Sequence, residues 1–211
     1  MYDVYVITDE ELSGGLSHYE IARLACEGGA DVIQLRDKTM SDEEMIKVAR
    51  EIRRITSLYG SVFIVNDRLN VALAAEADGV HLGQSDMGSR DAVKMKGDMI
   101  VGISAGNPEQ AEAAEKEGAD YIGFGPVFTT TSKHDARPAA GVGMLKEVRR
   151  TVNIPVVAIG GITKENAAGV ITNGADGIAV ISAVVSQKDI KKATEELKDI
   201  VAKVKASAGR R

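Results

Sequence analysis

A short phrase, alanine–aspartate running into an apolar stretch, occurs four times along this chain and constrains its fold more than any other feature. The copies are Gly29-Ala30-Asp31-Val32-Ile33, Ala77-Asp78-Gly79-Val80, Gly118-Ala119-Asp120-Tyr121-Ile122 and Gly174-Ala175-Asp176-Gly177-Ile178. Their aspartates stand 47, 42 and 56 residues apart, about the length of two strand–helix units. Further apolar runs at 4–7, 62–65, 99–103 and 156–159 interleave with them. Short continuous runs of this kind suit strands covered on both faces, the condition of parallel sheets. Eight such strands alternating with helical stretches predict the α/β class and a closed (β/α)8 TIM barrel. Chemistry in such barrels sits on the loops that follow the strands, which fixes where to look.

Composition narrows the function classes. At 211 residues the chain is short for this barrel, so helices and bottom loops must be minimal. A formal net charge of −5 argues against coating a nucleic acid, whose phosphate backbone selects basic faces. Trp is absent and aromatics total 4%, which leaves little for base stacking. The lone Cys26 lies in an apolar helical stretch and reads as a buried thiol, without an intrachain disulfide, as in a reducing compartment. The first strand begins close to Tyr2, and no apolar run approaches ~18 residues. The expectation is a cytoplasmic protein with no membrane partner, one domain over residues 1–211, and a frayed basic tail from 206 to 211. A homo-oligomer is left open.

Helix signals fill the gaps. Ser41-Asp42-Glu43-Glu44 reads as a cap and acidic first turn for a helix reaching about residue 58. Asn107-Pro108-Glu109 reads as a cap with proline at the first helical position. Other helices are expected near 17–27, 71–75, 90–95, 144–151, from 163, and over 190–205. His18 and the charges between 188 and 205 read as solvated helix faces.

Polar residues cluster where the predicted strands end. Gln34, Arg36, Asp37 and Lys38 follow the second strand, and Asn66, Asp67 and Arg68 the third. His81, Gln84 and Asp86 belong to the fourth, and Ser104 ends the fifth. The sixth opens into Gly123-Phe124-Gly125-Pro126 and then Thr129-Thr130-Thr131-Ser132-Lys133-His134. The seventh ends in Gly160-Gly161 and the eighth in Ile181-Ser182. Two phosphate-binding constellations follow. Gly160-Gly161-Ile162-Thr163 with Ile181-Ser182 would present backbone amides to a monophosphate. Arg36, Lys38 and Lys133 beside Asp67 and Asp86 suit a diphosphate held with Mg²⁺, which takes few carboxylates and keeps several waters. No Cys/His cluster has zinc spacing. The long connection from 125 to 140 reads as an ordered binding loop or lid.

The strings IQLRDK, VNDRLNVAL, DGVHLGQSD, GADYIGFGPVFTTTSK and IPVVAIGGIT…GADGIAVISAV resemble the thiamine-phosphate synthase family along nearly the whole chain. The resemblance implies a Mg²⁺-dependent (β/α)8 transferase that joins a hydroxymethylpyrimidine diphosphate to a hydroxyethylthiazole phosphate and releases diphosphate. It implies that Gln34, Leu35, Arg36, Asp37, Lys38 and Asn66 hold the pyrimidine diphosphate, with Arg36 and Lys38 on its phosphates. Asp67 and Asp86 would bind Mg²⁺, Ser104 would meet the pyrimidine, and Lys133 the diphosphate. Thr130, Thr131, Ser132, Gly161, Ile181 and Ser182 would hold the thiazole phosphate. Arg36, Lys38, Ser104 and Lys133 are the expected catalytic set. Three positions depart from the family pattern: Thr129 stands where Pro is common, Ser132 where Thr is, and Asp37 where Glu is. The implied mechanism is dissociative, with a pyrimidine-methyl cation attacked by the thiazole nitrogen. Two rivals are a thiazole tautomerase using His81 or His134 as base, and a non-catalytic phosphate-binding regulator. Neither needs the Arg36, Lys38, Asp67, Asp86 and Lys133 set.

Overall fold

Every apolar run predicted as a strand is one. The structure, a computed structural model, describes residues 2–83, 97–132 and 138–209. Its strands are β1 (Val4–Ile7), β2 (Val32–Leu35), β3 (Val62–Asn66), β4 (Gly79–Leu82), β5 (Ile100–Ala105), β6 (Tyr121–Phe124), β7 (Val156–Ile159) and β8 (Gly177–Val180). All neighbours pair in parallel, and β1 pairs with β8 through Val4 opposite Ile178, so the sheet closes into a barrel. The helices among the described residues are α1 (His18–Glu27), α2 (Asp42–Tyr59), α3 (Leu69–Ala74), α4 (Pro108–Glu117), α5 (Gly141–Thr151), α6 (Ala167–Thr172), α7 (Ser182–Val185) and α8 (Ile190–Ala208). The helix expected near 90–95 lies outside the described residues. No helix among those described is long and apolar enough to cross a membrane.

The fourfold phrase closes the bottom of the barrel. Asp31, Asp78, Asp120 and Asp176 precede the even-numbered strands, and each carboxylate accepts an amide near the start of the preceding odd strand. The donors are Val4 at 2.9 Å, Phe63 at 2.8 Å, Val101 at 2.7 Å and Val156 at 2.8 Å. A buried amide left without a partner is costly, so one aspartate per strand pair satisfies a strand start that the ladder misses. The alanine before each aspartate is buried and donates its amide to the carbonyl five residues back, closing the preceding helix.

The residue before that alanine must adopt left-handed backbone. Gly29, Gly118 and Gly174 do so at φ of 85°, 96° and 105°. In the second copy the position is Glu76, at φ 52° and exposed. Left-handed backbone costs a non-glycine residue ~1–2 kcal/mol, partly offset in comparison with glycine by glycine's greater unfolded-state entropy. Glu76→Gly is therefore expected to stabilise the fold by about 0.5–1 kcal/mol, read as a higher urea midpoint with an unchanged slope; a lower midpoint refutes this account of the turn.

Helix starts follow the capping chemistry. Ser17 and Ser41 form capping boxes with Glu20 and Glu44, and Asn107 caps α4 above Pro108. Helix α8 continues to Ala208, into the segment expected to fray from 206, and residues 210 and 211 lie outside those described. The lysines of α8 are not merely solvated: Lys198 binds Asp31, and Lys205 binds Asp3 and the carbonyl of Asp176, so α8 is tied to the barrel floor. The fifth strand, expected to end at Ser104, runs one residue further to Ala105.

Candidate active site

A cavity of about 430 Å³ opens at the end of the barrel where the strands finish. Arg36, Lys38, Asn66 and Asp67 line it from the ends of β2 and β3. Strand order places these across the barrel from β6 to β8, whose following loops contribute Thr130, Ser132, Gly160, Gly161, Ile181 and Ser182. Cations and a carboxylate thus face glycines and hydroxyls over one space. His81 and Ser104 line both this cavity and a void of about 30 Å³ inside the barrel, so they stand at the boundary between the two.

On the cationic side, the Arg36 side chain is 12% exposed and its guanidinium lies 3.9 Å from Asp9. At that separation the pair is an ion pair without a hydrogen bond, so Asp9 steers the guanidinium without consuming its donors. Asp67 takes φ 62°, a conformation that aspartate tolerates better than most residues, and its amide donates to the His81 carbonyl at 2.8 Å. This link holds the end of β3 against β4. The donor set suits Mg²⁺: a hard carboxylate lines the cavity beside cations able to hold phosphate oxygens, and Mg²⁺ is commonly bound through one or two carboxylates plus substrate phosphates. Asp86 and Lys133, expected to complete the set, lie outside the described residues, as do Gln84 and His134.

The segment after β2 is built around Asp37, which the resemblance places among the residues holding the pyrimidine diphosphate. Asp37 Oδ1 accepts the amides of Thr39 and Met40 at 2.7 Å each and the Thr39 hydroxyl at 2.9 Å. Its Oδ2 lies 3.2 Å from His18 Nε2, whose Nδ1 meets the Thr8 hydroxyl at 2.7 Å. His18 is 1% exposed. The reading of a solvated face is therefore corrected: the first residue of α1 turns inward, because Thr8 and Asp37 give both ring nitrogens partners. Arg68 adds a second clamp through the Met40 carbonyl and Asp42. Burial disfavours the Asp37 carboxylate, but the donors from Met40, Thr39 and His18 outweigh it and hold its pKa down at about 2. A depressed carboxylate stabilises the fold fully above its unfolded pKa of ~3.9 and loses that contribution as pH falls through the folded value. Asp37→Ala should lower stability by ~2 kcal/mol at pH 7. In urea titrations the gap to the parent should stay constant down to about pH 4 and narrow below it; a gap that widens in acid overturns the argument.

Opposite, Gly160 and Gly161 sit at φ 101° and 62°. A Cβ on Gly161 would lie 2.5 Å from the Thr129 carbonyl oxygen and 2.8 Å from Phe128 Cβ, so the turn is packed backbone against backbone. The amides of Val127 and Phe128 donate to the carbonyls of Ile159 and Gly160, laying the loop after β6 along the end of β7. Ser132 Oγ donates to Ser182 Oγ at 3.1 Å, joining that loop to the start of α7. Asn166 clasps the turn by donating to the Gly161 carbonyl and accepting the Thr163 amide, both at 2.9 Å.

Four expected residues among those described fall outside the lining, Asp37 with its clamp being the first. Leu35 is fully buried in the core, and Thr131 is exposed. Gln34 is buried in the barrel interior, where its side-chain amide donates to the Tyr5 hydroxyl at 2.7 Å. Conversely, Tyr5 and Tyr121 went unnoticed. The Tyr5 hydroxyl is 2.9 Å from that of Tyr121, which is 2.9 Å from His81 Nδ1, and His81 Nε2 is 2.9 Å from Ser104 Oγ. Burial pushes both phenols well above their usual pKa, so they are neutral hydroxyls. The available signal was a polar or bulky residue in mid-strand with a glycine one or two strands away. Gly123 leaves room for His81, since a Cβ there would meet the imidazole at 2.7 Å, and Gly102 lies beneath the Tyr121 ring.

Known proteins with this geometry agree with one another. A family model described as thiamine monophosphate synthase matches residues 4–184. A thiamine-phosphate synthase from Methanocella arvoryzae is 57% identical over 98% of this chain and 98% of its own length. Another, from Methanoregula boonei, is 53% identical over 96% and 94%. The solved structure of a thiamine phosphate pyrophosphorylase from Pyrococcus furiosus superposes with a TM-score of 0.90, at 47% identity and 96% of each chain. With a family model spanning most of the sequence and relatives above half identity over nearly all of it, the chain belongs to the thiamine-phosphate synthase family of enzymes.

Proposed function

We propose that this enzyme condenses a pyrimidine-methyl diphosphate with a thiazole monophosphate to give thiamine phosphate and diphosphate. One observation carries the reading: a single cavity has Arg36, Lys38 and Asp67 on one side and the Gly160-Gly161 turn with Ser132 and Ser182 on the other. A double anion and a single anion then bind across the barrel, with their organic ends toward each other. Arg36 and Lys38 hold the diphosphate, Asn66 and Ser104 meet the pyrimidine, and Thr130, Ser132, Gly161 and Ser182 hold the thiazole phosphate.

The bond between the methylene carbon and the diphosphate oxygen breaks, and its electron pair leaves with the diphosphate. The ring amino group stabilises the resulting pyrimidine-methyl cation, and the thiazole nitrogen lone pair closes the new C–N bond. No side-chain nucleophile is required. The chain's contributions are stabilising charge on the leaving group, aligning two substrates and excluding water. Asp67, with Asp86, would hold Mg²⁺, which when bound supplies charge neutralisation on the diphosphate.

A tautomerase reading is weaker, because both ring nitrogens of His81 are engaged within the barrel and the cationic wall would have no task. Incubation of the protein with both substrates, with and without Mg²⁺, should yield thiamine phosphate and equimolar diphosphate in the presence of the metal alone. Isomerisation of the thiazole phosphate without diphosphate release would sink the proposal.

A further inference from the structure

The interior chain of Gln34, Tyr5, Tyr121, His81 and Ser104 has a direction. The Gln34 side-chain nitrogen is a donor, so the Tyr5 oxygen accepts from it and the Tyr5 hydrogen passes to Tyr121. Tyr121 then donates its own hydrogen to His81 Nδ1, which must present a lone pair. In the neutral ring the proton therefore sits on Nε2 and is donated to Ser104 Oγ. That makes the serine oxygen an acceptor from His81 and turns its own hydrogen away from the imidazole.

Reversal is obstructed at the Gln34 end. A doubly protonated His81 would donate to the Tyr121 oxygen, forcing the Tyr121 hydrogen back onto Tyr5. Tyr5 would then receive hydrogens from both sides and have no acceptor in the chain for its own. The arrangement spans five strands: Tyr5 on β1, Gln34 on β2, His81 on β4 and Ser104 on β5 meet Tyr121 from β6. The two rings at its centre occupy space left by Gly102 and Gly123 on adjacent strands. Side chains of this size, satisfied end to end in a barrel interior, are a polarised network rather than filler.

We propose that Tyr121, oriented by Tyr5 and Gln34, is a positioning residue that fixes His81 as the neutral Nε2–H tautomer and so makes Ser104 a hydrogen-bond donor to the bound substrate. The identity of that substrate rests on the function proposed above; the tautomer does not.

The test uses the intact protein with ¹⁵N-labelled histidine and no substrate, near neutral pH. The His81 signals are identified by their loss in His81→Gln. The ring should show a protonated Nε2 and an unprotonated Nδ1, and Tyr121→Phe should mix the tautomers. Tyr5→Phe, which leaves the Tyr121 donor in place, should mix them less. In steady-state kinetics Tyr121→Phe should lower kcat about 10- to 100-fold with KM for both substrates within about threefold, and Tyr5→Phe should have a smaller effect. A proton on Nδ1 in the parent overturns the proposal, as does a Tyr121→Phe protein with parental tautomer or parental kcat. If the parent makes no thiamine phosphate, the functional reading fails and the ¹⁵N spectra alone decide this one.

Discussion

Arg36→Ala is expected to lower kcat by two to three orders of magnitude while leaving the urea midpoint unchanged. The magnitude is that of removing a preorganised group aimed at charge that develops in the transition state. Arg36 sits at the end of β2 and lines the cavity, and its side chain is largely covered. Its acidic neighbour Asp9 is 3.9 Å away, outside hydrogen-bond range. The guanidinium is therefore held in position with donors available to a diphosphate, and little of the fold's stability passes through the pair. Arg36→Lys should recover part of the loss, since it restores the charge but not the planar fork that binds two oxygens at once. KM for the thiazole phosphate should move by less than about threefold, because the proposed function places that substrate across the barrel. Steady-state kinetics with each substrate varied, beside urea denaturation, reads all three quantities; parental kcat in Arg36→Ala would remove the residue from the mechanism.

Asp67→Asn should reduce kcat by a similar factor and raise the Mg²⁺ concentration needed for half-maximal rate. The choice of asparagine follows from the backbone. Asp67 lies at φ 62°, where asparagine is tolerated and alanine costs ~1–2 kcal/mol. Alanine would therefore mix a backbone penalty with the loss of charge, whereas asparagine keeps the shape and the amide link to the His81 carbonyl. The stability of the asparagine variant should lie within about 0.5 kcal/mol of the parent, and that of the alanine variant about 1 kcal/mol or more below it. Rate measurements over a Mg²⁺ series, paired with unfolding curves, separate the two effects. An asparagine variant with the parental Mg²⁺ dependence would exclude Asp67 as a ligand.

Much of the fold was written in local pattern. Apolar runs of strand length, evenly interleaved with helix caps such as Ser41 and Asn107, leave few arrangements that bury both faces of every strand. The aspartates at 31, 78, 120 and 176 were legible as turns, yet their bonds to the amides of neighbouring strands were not, because the partner lies 15 to 27 residues away. His18 shows the same limit. On its helix it looks like a surface residue, and its burial depends on Thr8 and Asp37 arriving from two other segments.

The site divides along the same line. Residues just past strand ends, such as Arg36, Lys38, Asn66, Asp67 and Ser182, were readable because a polar side chain at that place in a barrel faces the mouth. Within the strands the runs are nearly all apolar and do not say which parity points inward, and Gln34, Tyr5 and Tyr121 could not be told from core or rim.

What the sequence determined by itself was the barrel, the rim that carries chemistry and the charges gathered there, because strand length, periodicity and turn chemistry act over a few residues. What the tertiary structure decided was which polar groups meet: the inward chain ending at Ser104, the buried His18 clamp and the lysines of α8 beneath the floor. Those contacts arise from closing eight strands into a ring, and no local pattern records the register in which a ring closes.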